Sequence, residues 1–393
     1  MGNFSNKALS LVLLALFCTK AHTSPLDRKE LIDVEGYLML DHDYYGPFFN
    51  KDEANYQHKT EIRRSKLGLT FSPNTAFRAK IQLKYSRELP GSDNLSLGDA
   101  YMRYMLNDNW GLQLGRMKEP FGLEQQTSSS NLLTIERSSL SSSFAPGRSY
   151  GLKIDYKKKS HTLAFGYFLE RDSQHKFAIA HFNLFEQTAS QDTPAATLRF
   201  TYAPIIEAQQ SVHFGASASK RWFNGNKVQI KHSGEVHSAD NIIRSARFYA
   251  DTSKLYQVDA AWQFNHVLFQ TEFVKNSISQ KEGKNWDYFG AYIQASYRLS
   301  GRYKYRQGRY KSQNKMKNGS FKSSTELVIR QSILNVRDHD IGSEAAFSLF
   351  GINHYPAANI KLMANLIIPT MSGDSINNDQ SGQAYSLRFQ YKF

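Results

Sequence analysis

Apolar and polar residues alternate every second position in block after block of this chain. The last eleven residues, QAYSLRFQYKF, put Tyr385, Leu387, Phe389, Tyr391 and Phe393 on one face and Ala384, Ser386, Arg388, Gln390 and Lys392 on the other. Residues 77–85 (FRAKIQLKY) repeat the pattern, with Arg78, Lys80, Gln82 and Lys84 opposing five apolar positions. A helix, with 3.6 residues per turn, would smear these sets together, whereas a strand keeps them apart. Comparable blocks lie near 31–42, 60–71, 76–87, 97–106, 110–117, 149–156, 161–169 and 195–203. They continue near 211–223, 254–264, 267–275, 287–299, 325–334, 343–354, 359–369 and 383–393, which makes sixteen.

The connections alternate as well. Links from even to odd blocks are short, such as SPNT at 72–75, NDN at 107–109 and KKKS at 157–160, with another turn expected at Pro356. Links from odd to even blocks are long: 43–59, 88–96, 118–148, 170–194, 224–253, 276–286 and 370–382. Short turns on one rim and long loops on the other, with an even strand count, predict an all-β, sixteen-stranded antiparallel transmembrane barrel. In lipid every backbone polar group needs an internal partner, so a closed barrel is the only β solution. Residues 300–324 break the rule, being a long link on the short-turn side with eight basic residues from Arg302 to Lys322 and no acid. That segment either folds into the lower mouth or stays a solvated basic loop.

The N-terminus supports export. Lys7 precedes a ten-residue apolar run, Ala8 to Phe17, and small residues follow at Thr19, Ala21 and Thr23. The reading is a cleaved signal peptide over 1–23 and a barrel over 24–393, with cleavage after Ala21 or Thr23. Composition narrows the alternatives. The 393 residues carry 49 Lys+Arg against 35 Asp+Glu, a formal +14, with mean hydropathy −0.53. No later run of 18 apolar residues spans a bilayer as helix. Loss of 1–23 would remove Lys7, Lys20 and Cys18, leaving a formal +12 and no cysteine for a disulfide or a Cys-based zinc site. Export makes a nucleic-acid partner unexpected despite the basic charge, and the twelve scattered histidines, without HxxxH or HExxH, imply no metal or other cofactor. Ser-rich 127–143 lacks the G-x-S-x-G setting of a nucleophile, so no enzyme is expected.

With the apolar faces outward, the lumen receives Arg64, Lys66, Arg78, Lys80, Lys84, Arg103, Lys153, Arg199, Arg298, Lys361 and Arg388. Acids in the same phase read as few, with Asp99 and Asp155 the clearest. Sixteen strands enclose a water-wide channel, and rings of Arg and Lys select anions through their field. Alternatively these cations pair with loop acids or with lipopolysaccharide.

Residues 115–137, GRMKEPFGLEQQTSSSNLLTIER, then FAPGRSYG at 144–151, resemble the hallmark segment of the phosphate-selective porin O/P family. IRRSKLGL (62–69), Asp99-Ala100 and VDAAW (258–262) extend the resemblance over nearly the whole mature chain. It implies a homotrimeric outer-membrane porin of a Gram-negative bacterium, passing small phosphate-like anions among outer-membrane lipid and lipopolysaccharide. It further implies that loop 118–148 forms the constriction, that Arg63, Arg64 and Arg137 are vestibule arginines, and that Lys80 and Asp99 line the constriction wall. Three positions depart from the family pattern: Gln125 and Tyr37 stand where a lysine and an arginine are expected, and the 224–253 loop has Lys231 in Gln-Ile-Lys-His-Ser rather than an arginine run. A general or sugar-permeable porin without phosphate specificity is the alternative.

Overall fold

The computed structural model describes residues 31–50, 55–89, 92–170, 193–313, 316–317, 320–374 and 382–393. The signal-peptide reading over 1–23, most of loop 170–194 and Lys315 lie outside them. Sixteen antiparallel strands close into one barrel. They are β1 (Ile32–Tyr45), β2 (Gln57–Phe71), β3 (Phe77–Leu89), β4 (Ser92–Met105), β5 (Trp110–Lys118), β6 (Arg148–Lys157), β7 (His161–Glu170) and β8 (Thr193–Ile206). The second half comprises β9 (Gln210–Val228), β10 (Phe248–Phe264), β11 (Val267–Ser279), β12 (Trp286–Arg298), β13 (Ser324–Asn335), β14 (Ser343–Ala357), β15 (Ile360–Gly373) and β16 (Ala384–Lys392). Strand β16 seals against β1, from Tyr37 opposite Lys392 to Tyr45 opposite Ala384, so no edge remains.

Each predicted block lies within or overlaps one of these strands, and the alternation has the expected sense. Along β16 the outward Tyr385, Leu387 and Phe389 are 37–52% exposed, while the inward Ser386, Arg388 and Gln390 are buried. One turn differs from the expectation. Pro356 is the penultimate residue of β14, beside a register shift between His354 and Ala357, and the chain reverses at 358–359 instead. The irregularity spares the ladder the N–H that proline lacks.

The barrel is not empty. Loop 118–148 crosses the lumen, carrying the short helices Leu123–Gln126 and Ser139–Phe144. A second long loop, 229–247, dives in above it and buries Val236, Ala239, Ile242 and Ile243 with Phe49, Phe121, Leu140 and Phe144. Gly290 of β12 permits the close approach of loop 118–148, because a Cβ there would stand 2.6 Å from the Leu140 Cβ. From the other end comes the basic link, whose residues 302–313 form a hairpin pairing Arg302–Tyr305 with Tyr310–Gln313. Buried Tyr303 and Tyr310 pack with Leu123 and Leu133 of the constriction loop and Leu268 of the wall. The hairpin therefore folds into the lower mouth, and segments from opposite rims meet inside the barrel.

Candidate functional site: the lumen and its cations

The constriction loop is fastened by side chains from almost every quarter of the wall. The Glu272 carboxylate of β11 accepts from the backbone N–H of Leu123 at 3.0 Å and Glu124 at 2.6 Å. Lys361 of β15 donates to the Leu132 carbonyl at 2.7 Å, Asn353 of β14 to Leu133 at 2.8 Å and Arg388 of β16 to Ile135 at 2.5 Å. Arg330 of β13 donates to Thr134 Oγ1 at 2.7 Å and to Glu235 of the upper loop at 2.5 Å, while Glu235 also accepts from the Ser139 N–H at 2.8 Å. Contacts this numerous hold the loop in one course across the lumen.

Glu136 gathers three arginines. Arg63 donates to it bidentately at 2.9 and 3.1 Å, Arg64 at 3.2 Å and Arg388 at 2.8 Å. Two consecutive arginines reach one carboxylate because the β1–β2 register slips here: Arg64 pairs with Met39 and Ile62 with Leu40, leaving Arg63 as the extra residue. Burial alone would raise the Glu136 carboxyl, but Arg63, Arg64 and Arg388 outweigh it and hold the pKa well below the usual carboxylate range.

Lumenal acids are more numerous than the sequence reading allowed. Asp41 and Asp43 of β1, Asp259 of β10, Glu272 of β11 and Glu326 of β13 are all buried on the inner face. They pair with several expected cations: Arg388 with Asp41 at 2.6 Å, Arg199 with Asp259 at 2.8 Å and Arg298 with Glu326 at 3.3 Å. Arg103 is likewise bidentate to Asp155 at 2.5 and 2.8 Å. Lys80 is bonded to Glu35, and Asp99 accepts from Arg148 at 2.7 Å. Asp41, Asp43, Asp259, Glu272 and Glu326 share the inward period-two phase of the basic residues.

What remains is a positive strip along β2 to β6. Lys118 donates to the carbonyls of Gln125 at 2.6 Å and Thr127 at 3.1 Å. Arg137 donates to the same Thr127 oxygen at 2.8 Å and to the Glu124 carbonyl at 3.3 Å. Both charges thus lie within about 6 Å of each other, a repulsion of about 3 kcal/mol at an effective dielectric of ~20. Among the described residues no carboxylate comes within ion-pairing distance of Lys118, Arg137 or Lys66. Glu124 and Glu136 act on Arg137 from farther away, and their oxygens are already engaged by Arg330, Ser138, Arg63, Arg64 and Arg388. Lys66 stands 5.4 Å from the Tyr37 ring and interacts electrostatically with Asp99 and Arg148, and Lys118 interacts with Arg137, Arg148 and Lys66.

The expected residues therefore fall into three groups. Lys66, Lys80, Asp99 and Arg137 converge at the constriction, Lys80 paired there with Glu35 and Asp99 with Arg148. Lys118 and Arg148 join them, and the alternation did not single these two out because the strand phase is lost at the loop's two ends. Arg63, Arg64 and Arg103 face inward but are held by carboxylates. Arg78 lies near the short-turn end of β3, opposite Arg103, and Lys231 is exposed in a small two-stranded segment opposite Arg244, far along the chain from the constriction elements. Gln125 donates to the Pro146 carbonyl at 2.8 Å and stitches the loop closed, and Tyr37 is buried beside Ser129.

The family profile described as phosphate-selective porin O and P matches residues 33–393. Among solved structures, an anion-selective porin from Comamonas acidovorans is similar at 11% identity and TM-score 0.53, covering 92% of this chain and 99% of that one. The outer-membrane channel DcaP of Acinetobacter baumannii matches at 11% and 0.55, covering 94% and 100%. In-vitro folded OmpT of Vibrio cholerae, in its trimer form, matches at 11% and 0.55, covering 92% and 99%. At such identities the likeness shows the fold. No curated protein sequence matches. The chain belongs to the phosphate-selective porin O and P family and is a porin channel of the Gram-negative outer membrane.

Proposed function

We propose that the channel favours anions and passes oxyanions of the phosphate class along the β2–β6 strip. The observation that carries this reading is the pair Lys118 and Arg137, two cations converging on one carbonyl oxygen with no carboxylate in ion-pairing distance among the described residues. A mobile anion relieves their repulsion on arrival and restores it on leaving, which suits a site that must bind and then release. Lys66 and Arg148 extend the field above and beside this pair, and Lys80, Arg78 and the hairpin's Arg309 continue it downward. The guanidinium of Arg137 offers a planar fork suited to an oxyanion, and the Lys118 ammonium a compact charge. The missing loop lysine at Gln125 is compensated in this reading by Lys118, which reaches the same stretch of loop from β5.

The functional unit is a homotrimer in this proposal, in keeping with the trimer form of the Vibrio cholerae relative by fold, and 1–23 is removed on export. Titrating chloride current with inorganic phosphate in a planar bilayer tests the substrate class. Block at low phosphate supports an oxyanion site, and chloride current that phosphate leaves unchanged would make the protein a general anion porin.

A further inference from the structure

The outer wall carries a feature that conduction does not use. Lys220 of β9 and Lys254 of β10 are direct cross-strand partners. Both are exposed, on the face that the alternation turns toward lipid. Like charges directly opposite on one face destabilise a sheet, and a lysine on the lipid face of a barrel is costly in the apolar band. Among the described residues neither lysine is ion-paired with an acid: Lys220 has Ala196 as its other cross-strand neighbour, and Lys254 has Ser277. A third outward lysine on this wall, Lys275, is by contrast matched to Asp287 at 3.3 Å.

Depth suggests what balances the pair. Below Lys254 the outward face of β10 reads Tyr256, Val258, Ala260, Trp262 and Phe264, the large ones 44–56% exposed. With about 3.3 Å per residue and a tilt near 40°, Lys254 stands about 20 Å above Trp262 and about 25 Å above Phe264. The apolar band of such barrels is about 25 Å tall, so the two ammonium groups emerge at its upper edge, where outer-leaflet headgroups begin. Aromatic rings frame them at that level: the Lys220 ammonium lies 5.1 Å from the Trp222 ring, and higher up Lys227 lies 5.6 Å from the exposed Tyr249 ring. We propose that Lys220 and Lys254 bind a phosphate of an outer-leaflet glycolipid headgroup, as two cations on one phosphoryl group anchored by its own acyl chains.

The test is native mass spectrometry of the purified full-length porin with three probes: bisphosphorylated lipid A, the same lipid after enzymatic dephosphorylation, and inorganic phosphate. The wild-type protein should retain the phosphorylated lipid and lose it on dephosphorylation, without displacement by millimolar inorganic phosphate. Removing the charges in K220A/K254A should weaken retention by about fivefold for each lysine, while K220R/K254R and K275A retain it. Equal retention of the two lipids by the wild type, displacement by free phosphate, or unchanged retention in K220A/K254A would each overturn the assignment. The wild-type comparison needs no variant to fold.

Discussion

Lys118→Gln removes one of the two charges that lack a carboxylate partner among the described residues, while leaving a side chain able to reach the Gln125 and Thr127 carbonyls. An anion held about 4 Å from the Lys118 ammonium gains about 1 kcal/mol from it in bulk water and about 4 kcal/mol at an effective dielectric of ~20. The constriction is wetted yet walled by protein, so about 1.4–2.7 kcal/mol is the expected range, or a tenfold to hundredfold rise in the phosphate concentration that halves chloride current. Arg137, still bonded to the Glu124 and Thr127 carbonyls, keeps the loop in place. Single-channel recording of wild type, K118Q, K118R and K231Q under one phosphate titration isolates the effect. K118R should stay near wild type because charge is kept, and K231Q should do so because Lys231 is exposed in the outer loop. A K118Q channel with unchanged conductance and unchanged phosphate block would refute the role given to Lys118.

Three other perturbations probe the scaffold. Glu136→Gln strips Arg63, Arg64 and Arg388 of a shared counter-charge, which should cost about 3–5 kcal/mol, read as a lower melting temperature of the heat-modifiable barrel and a noisier, larger conductance. Because the Glu136 pKa is depressed, its contribution is present above the unfolded carboxyl value near 4.3 and is lost only as pH falls through the lower folded value. Conductance titrated from pH 7 to pH 5 should therefore show no loop release, and release within that window would contradict the anchor. Tyr303→Phe deletes the hydroxyl that donates to Glu326 at 2.7 Å and is hydrogen-bonded to the Ser296 hydroxyl at 2.8 Å. It should cost about 1–3 kcal/mol and increase protease cleavage of the 302–313 hairpin from the periplasmic side.

The strands were legible because a period of two survives even where average hydropathy hides it, and because link lengths alternated. The inward course of 118–148 came from resemblance, and the many wall contacts that hold it could not be read from spacing. Three features escaped for physical reasons. The lumenal acids Asp41, Asp259, Glu272 and Glu326 lie in phase with the basic residues, but their pairing is set by neighbouring strands far away in sequence. Arg63 and Arg64 share a face only through a register slip that no local pattern announces. Lys118 ends β5 where the alternation gives way to loop, so nothing in the sequence told whether its ammonium turned inward. The basic link from Arg302 to Lys322 was open between two readings, and it was the tyrosines among its cations, Tyr303 and Tyr310, that took it into the barrel.

Charge selectivity tests the central claim most directly. Under a tenfold KCl gradient across a planar bilayer, the reversal potential of the wild-type channel should take the sign set by chloride, and it should move toward zero in a K66Q/K118Q variant that still inserts with normal conductance. A wild-type reversal potential of the sign set by potassium, or one that the double variant leaves unmoved, would contradict a pore governed by the Lys66, Lys118 and Arg137 strip.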